Sequence, residues 1–189
     1  HVLYKLHPGT HGDSNYATNK EDRKSVSGLL HFIGGVLVNW MSKMQAFVTL
    51  SSKEAELGAQ VTGVQEVVFE LQLLDELGIA TKPAIMLIDN TGAIYLIKNH
   101  QVSQCTKHIS VKWHFYHEHH ECGDFVPIHH GTDDNAADIL TKNLDVKTYT
   151  KHDNDIRNCN TFLRVNWHNL VDKCNNNQLF ENNEENGAK

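Results

Sequence analysis

The sequence has no apolar run longer than a few residues, which is far too short to cross a membrane. Its four cysteines, Cys105, Cys122, Cys159 and Cys174, are widely spaced and form no C-x-x-C pair. That pattern argues for unpaired thiols in a reducing compartment, and so against secretion. There is no internal repeat. There is also no basic excess: 17 Lys and Arg stand against 23 Asp and Glu in 189 residues, a formal charge of −6. Binding of nucleic acid by bulk positive charge is therefore disfavoured, and any such binding needs locally concentrated bases. Two windows supply them. Residues 23–53 carry Arg23, Lys24, Lys43 and Lys53 with no acid, and residues 90–117 carry Lys98, Lys107 and Lys112 with no acid. The chain opens His1-Val2-Leu3-Tyr4, neither a start residue nor a signal peptide, and is expected to be a segment of a longer polypeptide.

Hydrophobic content of 40% and charged content of 21% are those of a globular protein. Three regions are expected: an α/β domain over 1–144, a helical appendage over 145–174, and a disordered Asn- and Glu-rich tail over 175–189. In the domain, Leu29–Ile33 and Val36–Trp40 read as strands joined by Gly34-Gly35, a tight hairpin turn. Ala46–Leu50 reads as further strand. Ser51 and Glu54 have capping-box spacing at the start of a long helix that Gly78 ends. Ala84–Ile88 is an almost unbroken apolar run, suited to a central strand covered on both faces. Helices are expected over 91–98, 107–121 and 133–142, with a strand at 125–128.

Four acids stand where solubility does not explain them. Glu56, at about 100° per residue, lies within roughly 60° of Gly63, Val67, Leu71 and Leu74, on the face that must pack on the sheet. Asp89 ends the apolar strand, and the carboxyl end of a central strand is where α/β sheets place sites. Asp138 is flanked by Ala137 and Ile139, and Asp13 follows a first strand. Each has a plain alternative: a snorkelling edge residue, a helix cap, an exposed helix face, a turn. Brought together, four acids would repel strongly unless they held cations. Two-metal phosphoryl transfer uses such a cluster, with two divalent ions about 3.5–4 Å apart. Oxygen-only ligands suit Mg²⁺.

A set of blocks in order carries a resemblance: Arg23-Lys24-Ser25-Val26-Ser27-Gly28, Gly34-Gly35, Trp40-x-Ser42-Lys43-x-Gln45, Leu50 to Glu56, Asp89-Asn90, Thr106-Lys107-His108-Ile109 and Ala137-Asp138-Ile139-Leu140-Thr141-Lys142. Over residues 8–144 the chain resembles the ribonuclease H domain of Ty1/copia-type retrotransposon polyproteins. The resemblance implies a ribonuclease H-like fold, a five-stranded mixed sheet of three antiparallel strands followed by parallel ones, flanked by helices. It implies cleavage of the RNA strand of RNA–DNA hybrids by two Mg²⁺ ions, with Mn²⁺ as substitute, held by Asp13, Glu56, Asp89 and Asp138. It implies an upstream reverse transcriptase domain as partner, an intracellular setting in a cytoplasmic retroelement particle, and no membrane. A mobile histidine assists related enzymes, and His129 is marginally preferred over His130 for that role. Asn90, Ser14 and Asn15 are candidate contacts to the RNA, and Lys43 and Lys107 to phosphates. Departures are Asn15 where an aspartate is usual, Glu70 where an apolar residue is usual, and Cys105 where Arg is common. Asn15, Cys105 and the non-methionine start leave a competing expectation open, a domain that has lost catalysis and only binds nucleic acid or scaffolds a polymerase. His114, His117, His119 and His120 have helical metal-ligand spacing, with packing as the alternative.

Overall fold

Positive φ at Gly34 (59°) and Gly35 (83°) lets the chain reverse in two residues, and the flanking apolar runs pair as a hairpin. The computed structural model describes residues 8–18, 21–79, 83–92, 94 and 107–158. Its hairpin strands are β2 (Val26–Ile33) and β3 (Val36–Met44). β1 (Pro8–Asn15) lies antiparallel to β2, with Asp13 opposite Gly28. β4 (Ala84–Ile88) runs parallel to β1, and β5 (Phe125–His129) parallel to β4. The sheet order is β3-β2-β1-β4-β5, the five-stranded mixed arrangement that the resemblance implies. β4 is buried along its whole length, as its apolar run requires.

One face of the sheet is covered by α1 (Ser52–Glu76) and α2 (Lys107–Glu121). Their core joins Leu57, Val64, Val67 and Leu71 to Met86, Ile88, Tyr116 and Phe125. The other face carries a smaller core of Leu30, Phe32, Ala136 and Ala137, to which α3 (Val146–Arg157) adds Ile156. The first turns of the expected appendage thus pack on the domain, with His152 buried there. The rest of the appendage and the tail lie outside the described residues.

Three expectations change. The capping box forms, with the Ser51 hydroxyl accepting from the Glu54 N–H (3.2 Å), but the Glu54 carboxylate reaches one residue further back, to the Leu50 N–H (2.7 Å). Residues 46–50 are not strand. Thr49 and Gln45 turn inward instead: the Thr49 hydroxyl meets that of Ser25 (3.2 Å), and Gln45 donates to both the Ser27 hydroxyl and the Ala55 carbonyl (2.8 Å each). These bonds tie the segment between β2 and α1 and leave Leu50 exposed. Nor are residues 133–142 one helix; they form two short 3₁₀ helices, Thr132–Asp134 and Ala136–Leu140. Asn135 separates them in an extended conformation, donating its amide to the Gly12 carbonyl (3.3 Å) and accepting from the Ala137 N–H (3.2 Å). A tertiary bond to β1 overrides local helix propensity. Of the helix expected over 91–98, only the start is described, where the Ile94 N–H donates to the Asn90 carbonyl (3.2 Å).

Glu70, an unusual acid, is buried on the sheet-facing side of α1, 3.7 Å from His31 Nδ1. Burial first, and the Glu66 charge second, push its carboxyl up to about 7. Burial pulls His31 down to about 4. A carboxyl with a raised folded pKa destabilises the fold progressively as pH climbs from its unfolded value to its folded one. A histidine with a lowered pKa does so as pH falls, in the opposite direction. Glu70→Leu is therefore expected to be more stable than wild type. The advantage should grow between about pH 4.5 and pH 7, level off above, and reach roughly 1–3 kcal/mol. Urea unfolding at pH 5 and pH 8 measures it; an equal gain at both would mean that ionisation of Glu70 is not the cause.

Candidate active site

Parallel pairing sets the first two acids side by side. His11 is opposite Leu87 across β1 and β4, so two residues further along both strands Asp13 comes next to Asp89, at the carboxyl end of both. Asp13 is thus within β1 rather than after it. Glu56 projects from the early turns of α1 and is buried; its Oε1 accepts from the Ser14 N–H (3.2 Å) and hydroxyl (2.9 Å). Asp138 arrives on the second 3₁₀ helix, from the opposite face of the sheet. That approach depends on Gly28, where a Cβ would stand 2.6 Å from Thr141 Cγ2 and 3.0 Å from the Ala137 carbonyl oxygen. Elements from both faces therefore meet at one end of the sheet.

Asp13, Asp89 and Asp138 each offer a carboxylate oxygen, all within 4.8 Å of one another. Asp13 and Asp89 border, with Glu56, an open cleft of about 320 Å³ that Ser14, Asn90, Thr132 and Lys142 also line; Asp138 stands behind Lys142, whose ammonium it binds. Burial first, then the charges of Asp13 and Asp89, push Glu56 up to about 8, against the pull of its Ser14 bonds. Burial also raises Asp138 to about 6, with Lys142 working against it and the other aspartates with it. Asp89 is raised by burial and by Asp13, and the Lys142 charge first and a hydrogen bond from Asn135 second restrain the rise. Lys142 sits among these acids, its Nζ 2.8 Å from Asp138 Oδ1 and 3.2 Å from Asp13 Oδ1. Although burial opposes it, the hydrogen bond it donates to Asp138 and the charge of Asp13 hold that ammonium above its ordinary range. The Thr141 hydroxyl donates to the other oxygen of Asp13.

Two features fit this site to a divalent ion. All its charged donors are hard carboxylate oxygens. Glu56 Oε2 is buried and has no hydrogen-bond partner among the described residues, a position that a cation or its bound water would satisfy.

The other expected site residues are scattered. Asn90 and Ser14 line the cleft. Asn15 donates its side chain to the Thr141 carbonyl (3.0 Å), so it holds the Asp138 segment to β1. Lys43 is exposed on the edge strand β3, two strands from Asp13. Lys107 opens α2, and its side chain lies outside the described residues; Lys112 sits over the Phe47 ring, 3.2 Å from its centre. His129 is exposed at the end of β5 and is not among the described residues lining the cleft. His130 bonds the Asp134 carbonyl (2.8 Å) and packs edge-on against His11. Of the α2 histidines, His119 meets Asp124 (2.6 Å) and His117 packs on Trp113. Sequence reasoning missed Lys142 and Asn135. Lys142 follows Asp138 by four residues, the spacing of a local ion pair, and that signal was available.

Comparison with known proteins follows the same lines. No protein-family model matches the chain. It is 36% identical over 135 residues to the retrovirus-related Pol polyprotein from transposon RE1 of Arabidopsis thaliana, a match covering 71% of this chain and 9% of that one. It is 35% identical over 130 residues to the corresponding polyprotein from transposon TNT 1-94 of Nicotiana tabacum, covering 69% and 10%. The chain thus spans about a tenth of the length of these relatives. Among solved structures, LC11-RNase H1 from compost superposes with a TM-score of 0.54 at 15% identity, over 72% of this chain and 93% of that one. The foamy viral protease-reverse transcriptase in complex with RNA/DNA hybrid superposes with a TM-score of 0.52 at 14% identity, over 78% and 20%.

Gly28 carries a direct test of the site's assembly. Gly28→Ala is expected to push the segment bearing Asp138 and Thr141 off β2 and to destabilise the protein by about 1–3 kcal/mol. It should also reduce the stabilisation that added Mn²⁺ gives. Denaturant titration with and without Mn²⁺ checks both, and unchanged values would show that the close approach at Gly28 does not position Asp138.

Proposed function

The chain belongs, by sequence and by fold, with the ribonuclease H segments of retrovirus-related Pol polyproteins, and we propose that it is an endonuclease hydrolysing the RNA strand of RNA–DNA hybrids. The observation that carries this reading is the convergence of Asp13, Asp89 and Asp138 within 4.8 Å, with Glu56 beside them. These four residues would hold two Mg²⁺ ions, or Mn²⁺ in their place. Bound there, the ions would supply a water of lowered pKa for attack on the scissile phosphate and stabilise the oxygen that leaves.

The chain's own groups do the rest. Ser14 fixes the Glu56 carboxylate through two bonds, and Asn135 restrains Asp89. Asn90, at the cleft wall, is placed to contact an RNA 2′-hydroxyl, and Ser14 lies beside it on the same rim. Exposed lysines such as Lys43, and Lys107 by its place in the chain, are the phosphate contacts of this reading. His129 remains the proposed mobile histidine that approaches only with substrate. The hybrid itself, an upstream reverse transcriptase domain of the same polyprotein, and a cytoplasmic retroelement particle complete the proposal. The domain limits proposed are 1–144 for the nuclease, 145–174 for the appendage and 175–189 for the tail.

One observation favours a second reading, a domain without catalysis that binds nucleic acid or scaffolds the polymerase. Asn15 replaces a usual aspartate and is committed to a structural bond with Thr141. A single assay separates the two. Wild type should cleave the RNA of a labelled hybrid in Mg²⁺ and lose on the order of 100-fold or more in Asp89→Asn. Equal rates would remove the proposed mechanism, and no cleavage by wild type would favour the second reading.

The pH dependence follows from the same acids. Asp138 must lose a proton held up to about pH 6, and Glu56 one held up to about pH 8, before both can serve as ligands. At limiting Mg²⁺, cleavage should therefore rise from pH 6 to pH 8. Excess Mg²⁺ should move the rise to lower pH, because the ion competes with protons. A profile that ignores Mg²⁺ concentration would show that the titrating groups are not ligands.

A further inference from the structure

Three carboxylates within 4.8 Å of one another repel unless a cation stands among them. In this cleft the chain supplies one itself. The Lys142 ammonium bridges Asp138 Oδ1 at 2.8 Å and Asp13 Oδ1 at 3.2 Å. The backbone beneath it is pinned at successive points. The Ser42 hydroxyl donates to the Leu140 carbonyl (2.6 Å), the Asn15 amide to the Thr141 carbonyl (3.0 Å), and the Lys142 N–H to the Asp138 carbonyl (2.9 Å). The Lys142 side chain is different: about a third of it is exposed, and it lines the open cleft. Its ammonium is held in the cluster by these two charge-assisted hydrogen bonds, at the end of a side chain that borders the cleft.

A divalent ion on these oxygens would compete with it, like charge against like charge. Mg²⁺ coordinates carboxylate oxygens at about 2.0–2.1 Å, which would set it against an ammonium already in contact with the same atoms. We propose that Lys142 is the cleft's built-in counter-cation, displaced from Asp13 and Asp138 by a divalent ion, after which its ammonium contacts the phosphate backbone of the bound nucleic-acid strand. This rests on the metal-dependent nuclease reading above. The lysine exchanges one anionic partner for another within reach of the same stem. In the free protein it lowers metal affinity. With nucleic acid present the freed ammonium gains a new partner, so metal and substrate are taken up together.

The test measures Mn²⁺ binding to the protein without nucleic acid, by the paramagnetic resonance signal of free Mn²⁺. Lys142→Met is expected to bind Mn²⁺ roughly tenfold tighter than wild type, within the usual range of coupling between competing ligands. Lys142→Arg, which keeps the charge, should bind no tighter than wild type. Binding that needs Asp89, as shown by its loss in Asp89→Asn, but is the same in wild type and Lys142→Met, overturns the proposal and leaves the metal site standing. Mn²⁺ binding to none of these proteins removes both.

A measurement on wild type alone guards against a misfolded variant. Acylation of Lys142 by an amine-reactive ester, read by peptide mass spectrometry, should rise several-fold on saturation with Mg²⁺; unchanged labelling overturns the displacement. For the phosphate contact, hybrid binding in Ca²⁺ should show a salt dependence shallower by about one unit in Lys142→Met. An unchanged slope overturns that half.

Discussion

Repulsion among carboxylates crowded at one end of a sheet is the constraint on which the rest of this structure depends. Asp13 and Asp89 are brought together by the pairing of β1 with β4, and neither strand can shift without turning every side chain to the wrong face. The fold then adds Glu56 from one face of the sheet and Asp138 from the other. Charges so close in a buried setting destabilise the protein that carries them. The surrounding bonds show how that is contained. Glu56 receives both donors of Ser14, Asp13 receives Thr141, Asp89 receives Asn135, and Lys142 spans Asp13 and Asp138. Ser14 on β1 serves Glu56, and the single segment 135–142 supplies the donors to the three aspartates.

These donors explain features that look unrelated along the sequence. Asn135 both breaks the helix expected over 133–142 and restrains Asp89. A continuous helix there would keep its side chain on the helix and away from β1. Asn15, where the family resemblance has an acid, secures the Thr141 carbonyl and with it the hydroxyl that serves Asp13. Gly28 keeps β2 bare so that this segment can lie against it. The second face of the sheet therefore does more than complete a core: it brings the last acid and three of the donors, Asn135, Thr141 and Lys142, to the cluster.

What was legible in the sequence is what local chemistry decides. Gly34-Gly35 can turn as it does because glycine accepts positive φ, Ser51 caps because its hydroxyl reaches the Glu54 N–H, and the apolar run 84–88 can only be a covered strand. The four acids were legible for a related reason, since each is a local misfit. What was not legible depends on partners far along the chain. Residues 46–50 carry a strand's pattern, yet bonds from Thr49 and Gln45 to Ser25, Ser27 and Ala55 hold them as a loop. Asn135 falls within an expected helix until its bond to Gly12, 123 residues away, is seen. Lys142 reads as a surface lysine, because nothing near it in sequence except Asp138 shows that three acids surround it.

The same constraint alters the meaning of the net charge of −6. That figure argues against a polyanion as ligand if charge is treated as uniform, but it is not uniform. The acids in the cleft are a concentrated local charge, and the bases of residues 23–53 and 90–117 lie in windows that contain no acid. On the proposed reading, a nucleic-acid strand entering an acid-lined cleft must bring cations or meet them there. Each cation bound lowers the repulsion that the strand feels, and by linkage each strand bound raises the affinity for cations by the same factor. The acidity that weakens capture of nucleic acid in the absence of metal thereby becomes the source of dependence on it. An acidic chain is then compatible with an anionic substrate, provided that the charge lies where the ions do.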